Sequence, residues 1–412
     1  METYIFFLGS NPQLSAAEVW GVLTAGELEP KVIGLTGQRM EVELNQEPGT
    51  ELLNRLGGTD RVARVIKKTN KVWPVQDLAE IISTGTSAPK FVVGISQYGD
   101  VFENIKKIAV DIKKILRSKG VKMRFVLPGG KDTRLNAAQV IFNKLHQPPN
   151  KELSVIKTAA NEYVLAETIF VQDIAAYAKR DTSRPARDAR VGMLPPKLAQ
   201  ILINLALPEI NPEQSVLDPF CGMGTILQEG WLMGARMFGS DISETMIEAS
   251  RNNLLWLSTN FPEVNDLLLP ELFVQDMRQP FRSVRQKLFD AVVTEGYLGN
   301  PISSPLSKRE LNEVSESIIG LYQDALKNIL PILKNGGYLV FCLPAWRSSR
   351  RGYSFTVLSP TLLDFAGKLG YSQEHLLPDA LAGLFQANSR GTMIYARPDA
   401  LVGREIIKLR KV

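Results

Sequence analysis

The segment that most restricts the fold is Ser215-Val-Leu-Asp-Pro-Phe-Cys-Gly-Met-Gly-Thr225. A short apolar strand over residues 215–218 runs into a turn holding Gly222 and Gly224, and then into a helix over 225–233. That is the first βα unit of a nucleotide-type fold. The glycines let the backbone approach a ligand at the carboxyl edge of the sheet, where a helix N-terminus aims free N–H groups. Strand, glycine turn and helix recur from a helix at 197–207 to near residue 343, which argues for a mostly parallel, doubly wound α/β sheet.

Acidic residues sit at the strand ends. Asp241 closes the next strand, 236–241, where a carboxylate accepts both hydroxyls of a ribose. Asp276 closes a third, 272–276, in position to accept from an adenine amino group. A fourth strand, 289–294, leads into Glu295-Gly-Tyr-Leu-Gly299, beside the first turn, where a reacting group meets a cofactor in such folds. Glu295 and the carbonyl of Gly296 are candidates to hold an exocyclic amine, and Tyr297 is a candidate to stack on its base.

The rest of the chain bounds the class. With 412 residues, two or three domains are expected, and 44% apolar with 22% charged residues describes an ordinary globular protein. Cys221 and Cys342 are the only cysteines and read as interior, against a disulfide framework or a four-ligand zinc site. His146 and His375 stand in no metal-binding spacing, so no metal is expected. The apolar start at residues 4–8 is too short for a signal segment and no run is long enough to span a bilayer, which gives the expectation of a cytoplasmic protein without membrane partners.

Upstream of residue 176 the pattern is α+β. Residues 15–23 read as a helix started by Ser15 with Glu18 three positions on, and residues 52–66 as a second helix. Between Val101 and Arg124 eight basic residues face two acidic ones, a larger excess than the net charge of +5 for the whole chain. On a helical wheel Ile105, Ile108, Ile112, Ile115 and Leu116 form one stripe and Lys106, Lys113 and Arg117 a neighbouring basic face. Such a cluster is as often a solvated helix face as a binding surface, but Lys131 and Arg134 beside Gly129-Gly130 favour a surface that meets phosphates. The polar, proline-bearing stretch 176–195 reads as an interdomain linker.

Asp218-Pro-Phe-Cys-Gly-Met-Gly-Thr225, preceded by Gly192-Met-Leu-Pro-Pro-Lys-Leu-Ala199, resembles the THUMP-domain tRNA guanine-N2-methyltransferases that modify guanine at tRNA position 10. The N-terminal Tyr4-Ile-Phe-Phe-Leu-Gly-Ser-Asn-Pro-Gln-Leu-Ser-Ala-Ala-Glu18 is similar to that family's ferredoxin-like unit. The resemblance implies a ferredoxin-like domain over 1–65, a THUMP domain over 66–175 that grips the tRNA acceptor end, and a Rossmann-like class I methyltransferase domain over 196–412. It implies S-adenosylmethionine (SAM) as cofactor, contacted by Asp218, Phe220, Gly222, Gly224, Thr225, Asp241, Ile242, Asp276 and Met277. Glu295, Gly296 and Tyr297 become the catalytic set. Lys106, Lys113, Arg117, Lys131 and Arg134 become the tRNA contacts, with a small activator subunit as a candidate second partner. One departure stands out: the family loop reads Asp-Pro-Pro-Tyr after a threonine, whereas Thr294 here is followed by Glu295-Gly-Tyr-Leu298. A DNA amino-methyltransferase and a non-catalytic RNA-binding protein with a SAM fold remain the competing readings.

Overall fold

A computed structural model describes residues 1–412 except 85–89, 159, 188–192, 283–286, 349–353 and 386–387. Gly192 of the proline-lysine segment therefore lies outside the described residues. Two compact units emerge: one of Met1–Pro12, Leu28–Asn54 and Thr59–Ala176, the other of Gln13–Glu27, Arg55–Gly58 and Tyr177–Val412.

The first unit is built on strands β1 (Glu2–Leu8), β2 (Lys31–Thr36), β3 (Arg39–Leu44), β4 (Thr59–Thr69), β5 (Lys90–Tyr98), β6 (Lys122–Val126), β7 (Lys151–Lys157) and β8 (Tyr163–Val171). They make one eight-stranded sheet in the order β2-β3-β1-β4-β8-β7-β5-β6. In chain order the helices along this stretch are α1 (Pro12–Ala25), α2 (Thr50–Asn54), α3 (Val75–Ser83), α4 (Ile105–Ser118), α5 (Ala137–Phe142) and α6 (Ile174–Thr182), of which α1 after Pro12 and α6 from Tyr177 belong to the second unit. Helix α4 follows the pattern read from its sequence. Asn104 caps it by accepting from Lys107 N at 3.0 Å, Ile112 and Leu116 are buried, and Lys106, Lys113 and Arg117 are exposed.

Three local expectations change. Residues 52–66 are not one helix: α2 ends at Asn54 and β4 begins at Thr59. The glycine pair Gly57-Gly58 interrupts a helix, and the β-branched and apolar residues beyond it suit a strand that pairs on both sides. Ser15 does not start a helix, because α1 begins at Pro12. Glu18 is instead a buried acceptor within the second unit, taking Gly57 N at 2.9 Å, Gly58 N at 2.8 Å and Asn204 Nδ2 at 2.7 Å. Residues 177–182, expected as linker, are helical in α6, where Arg180 is buried against Glu229 at 2.7 Å. A charged residue reads as solvent-facing in sequence, but a paired guanidinium can be interior.

The second unit carries α7 (Pro196–Ala206), β9 (Ser215–Asp218), α8 (Thr225–Leu232), β10 (Arg236–Asp241), α9 (Glu244–Asn260), β11 (Glu271–Val274), β12 (Phe289–Thr294), α10 (Lys308–Ile329), β13 (Leu333–Arg347), β14 (Phe355–Thr356), α11 (Ser359–Leu369), β15 (Tyr371–Glu374), β16 (Met393–Tyr395) and β17 (Val402–Lys411). The sheet runs β11-β10-β9-β12-β13-β17-β15. Strands β11, β10, β9, β12 and β13 are mutually parallel, and β17 is antiparallel to both β13 and β15. Ala291, Val292 and Val293 of β12 are fully buried, as a parallel strand covered on both faces requires. Phe238, Phe289, Tyr322, Leu326 and Phe341 belong to one core cluster of this unit. Strand order reverses between β9 and β12, and in open α/β sheets the crevice beyond the carboxyl ends at such a reversal is where ligands bind. Rossmann-like α/β architecture, expected from the glycine turn, is what the sheet shows.

Candidate active site

Asp218 ends β9 and is 2% exposed. Burial pushes its carboxyl up to about 7; the Thr294 side chain and the backbone N–H of Phe220 oppose this, while Asp241 and Glu295 raise it further. Acids from three strand ends thus converge at the reversal point. In the glycine turn, Gly222 adopts φ 49° and a side chain there would enter open space. Its N–H donates to Asp241 Oδ2 at 3.0 Å, and Ser243 N donates to Oδ1 at 2.9 Å. Each carboxylate oxygen is thereby fixed in place with lone-pair capacity remaining, as a ribose diol needs. Ile242, 59% exposed, offers an apolar surface next to that acid.

Other expected cofactor residues divide. Phe220 is half-buried with its ring 6.0 Å from that of Tyr322, and Thr225 Oγ1 accepts from the buried Arg184 at 2.7 Å. Gly224 has φ 80° and caps α8. Asp276 lies two residues beyond β11, and both of its oxygens are held by Arg278, at 3.0 Å each; that guanidinium lowers its pKa. Met277 is 2% exposed, with its side chain in the core rather than at the sheet edge.

The loop after β12 is held from several sides. Thr294 Oγ1 accepts from Gly296 N at 3.1 Å. Gly296 has φ 72°, and a Cβ there would collide with Tyr322 Oη, which donates to Cys342 O at 2.9 Å. Only glycine suits that position, so Gly296 lets the loop close tightly over Tyr322. Glu295 Oε1 accepts from Arg404 Nε, a residue 109 positions away on β17. Burial raises the Glu295 pKa and Arg404 counteracts it. Tyr297, 42% exposed, donates from Oη to Asn300 Oδ1 at 3.1 Å. Residues 298–303 of the loop, with Arg187, Arg397 and Arg404, line a cavity of about 510 Å³.

In the first unit Lys131 and Arg134 line a cavity of about 700 Å³ together with Arg39, Arg61 and Tyr98. Arg39 and Arg134 stand over the Tyr98 ring at 5.2 and 5.4 Å. Lys106, Lys113 and Arg117 do not line it and remain on the exposed face of α4. Tyr322, Arg404, Arg39 and Tyr98 carried no motif in the sequence. They reach their sites only through strand order and, for Tyr322, the packing of α10 on the sheet, for which the sequence near them holds no local signal.

The residues present fit SAM: an acidic strand-end group to accept from its ribose, an exposed apolar side chain for its adenine, and clustered carboxylates for its positive charges. Sheet order and site together define a class I methyltransferase that uses SAM as methyl donor. A family model described as the RMKL-like methyltransferase domain matches residues 184–260. A tRNA (guanine(10)-N2)-dimethyltransferase of Methanocaldococcus jannaschii is 24% identical over 310 residues, 72% of this chain and 79% of that protein. A protein of Methanothermococcus thermolithotrophicus named as a probable enzyme of the same kind is 31% identical over 145 residues, 35% of this chain and 78% of that relative. The chain belongs to the tRNA (guanine(10)-N2)-dimethyltransferase family. Among solved structures, TrmN from Thermus thermophilus shares the fold over the whole of both chains, with a TM-score of 0.53 and 16% identity.

Proposed function

We propose that this protein methylates the exocyclic N2 of a guanine in tRNA, the guanine at position 10 being the one its relatives' names specify. The observation that carries this reading is a carboxylate, Glu295, held by Arg404 at the reversal point of the sheet, beside Asp218 and the glycine turn. SAM supplies, when bound, a methyl group already activated on a sulfonium sulfur. The protein's own task is then positioning. Asp241 takes the ribose hydroxyls, and Asp218 adds negative charge near the cationic end. Glu295, aided by the Gly296 carbonyl, accepts a hydrogen bond from the guanine amine and aims the nitrogen lone pair. A strong base is not required, because the amine sheds its proton after the methyl is gained. Tyr297 stacks on the base.

The N-terminal residues 1–65 and 66–175 serve in this reading as ferredoxin-like and THUMP domains that dock tRNA. Support comes from the cavity lined by Arg39, Lys131 and Arg134 and from the basic face of α4. Among the described residues no helix is long and apolar enough to cross a membrane, and a tRNA substrate favours the cytoplasm. A small activator subunit is the candidate second partner. The reading is tested by supplying labelled SAM with tRNA or duplex DNA: label should enter tRNA, and label in DNA alone or in neither would overturn it.

A further inference from the structure

Arg404 is the one basic side chain in contact with Glu295 among the described hydrogen bonds and ion pairs. It comes from β17, opposite Pro344 of β13, while Phe341 of that strand is in register with Thr294. One strand, β13, therefore lies between its own strand and β12, and its side chain crosses the edge of the sheet to meet the carboxylate. The side chains are 13% and 23% exposed, so the pair is largely withdrawn from water. Arg404 is also part of the wall of the 510 Å³ cavity, along with Leu298, Gly299 and Asn300 of the loop that follows Glu295.

We propose that Arg404 is a positioning residue for methyl transfer, fixing the Glu295 carboxylate through Oε1 so that Oε2 faces the guanine amine admitted by this cavity. This rests on the methylation reading above and deepens it. A loop with no proline directly after its acid needs another source of rigidity there. Glu295 also has one more methylene than aspartate, hence one more torsion to fix. An Arg–carboxylate contact supplies direction as well as charge.

Charge matters equally, because only the ionised carboxylate is purely an acceptor. The groups facing Glu295 are Arg404 on β17, Asp218 on β9, Tyr322 on α10 and Cys342 on β13. Of these Arg404 alone favours the ionised form; burial and the negative charge of Asp218 oppose it.

The test is Arg404→Met in the full chain, with Arg404→Gln as the milder variant should the first not fold. Titration of Glu295, followed by carbon NMR with glutamate-labelled protein and assigned through Glu295→Gln, should move to higher pH in either variant. The acid limb of single-turnover methyl transfer should follow, so that the rate at pH 6 falls about tenfold further than the rate at pH 9. In the Glu295→Gln background the same change at Arg404 should cost little more. An unmoved Glu295 titration, an equal loss at every pH, or a full additional loss in that background would each overturn the positioning role. The titration is read without tRNA, so it is decided separately from the methylation reading, which falls instead if the unaltered protein transfers no methyl group to tRNA.

Discussion

Asp218 and Glu295 are both carboxylates withdrawn from water, but they answer to different partners. Asp218 has no cation in contact among its described partners, and burial pushes its carboxyl up to about 7. Its folded pKa lies above its unfolded one, so its contribution to stability is full in acid and is lost as pH rises through 7. Binding a cationic ligand reverses the preference, since SAM favours the ionised form. SAM affinity should therefore rise with pH up to about 7 and then level off, by at most about tenfold per pH unit for one displaced proton. Calorimetric titration should show this slope in the wild type, a shallower one with the product S-adenosylhomocysteine, which has lost the sulfonium charge, and none in Asp218→Asn. Glu295 is probed by Glu295→Gln, which keeps its size but weakens acceptance. Turnover should drop by about 10²-fold, the scale of losing one preorganised hydrogen bond, while SAM and tRNA affinities barely move. Unchanged turnover in steady-state assays would make Glu295 a bystander.

Helix α4 and the cavity lined by Lys131 and Arg134 are separate candidate surfaces for RNA, and salt dependence can rank them. Reversing charge at Lys106, Lys113 and Arg117 should lower the slope of log affinity against log salt by somewhat under one unit for each phosphate that is no longer neutralised. If filter-binding slopes stay the same there and fall on changing Lys131 and Arg134, the helix is a solvated face and the cavity carries the RNA. The elements themselves were legible where the sequence holds a periodic or glycine-marked signal. The strands ending at Asp218, Asp241 and Thr294 have the bounds that their sequences suggest, and of the α4 stripe Ile112 and Leu116 are buried while Ile105, Ile108 and Ile115 are partly so. Legibility failed where one local pattern suits two structures. Residues 59–66 space their apolar side chains acceptably for a helix, and only pairing with β1 and β8 makes them a strand. Asp276 reads as a free strand-end acceptor until Arg278, two residues away, folds back on it. Arg404 and Tyr322 were hidden because tertiary packing, not sequence distance, brings them to the loop.

At the scale of the whole molecule, residues 177–412 form nearly all of the second unit, which contains every part of the chemical site: the glycine turn, the strand-end acids, and the loop with its arginine. The first unit contributes basic surfaces of the kind that hold a phosphate backbone. Family membership and fold agree on methyl transfer, and the loop Glu295-Gly-Tyr-Leu298 is where this chain departs from the pattern of the group it resembles. For methyl transfer, this altered loop must still present a working acceptor to a guanine amine. The decisive measurement is to incubate tRNA with the protein and SAM, digest to nucleosides and identify the products by mass spectrometry. N2-methylated guanosine, reduced about a hundredfold in rate by Glu295→Gln, is the expected result. SAM binding with no methylated guanosine, or a methyl group found on another atom or base, would contradict it.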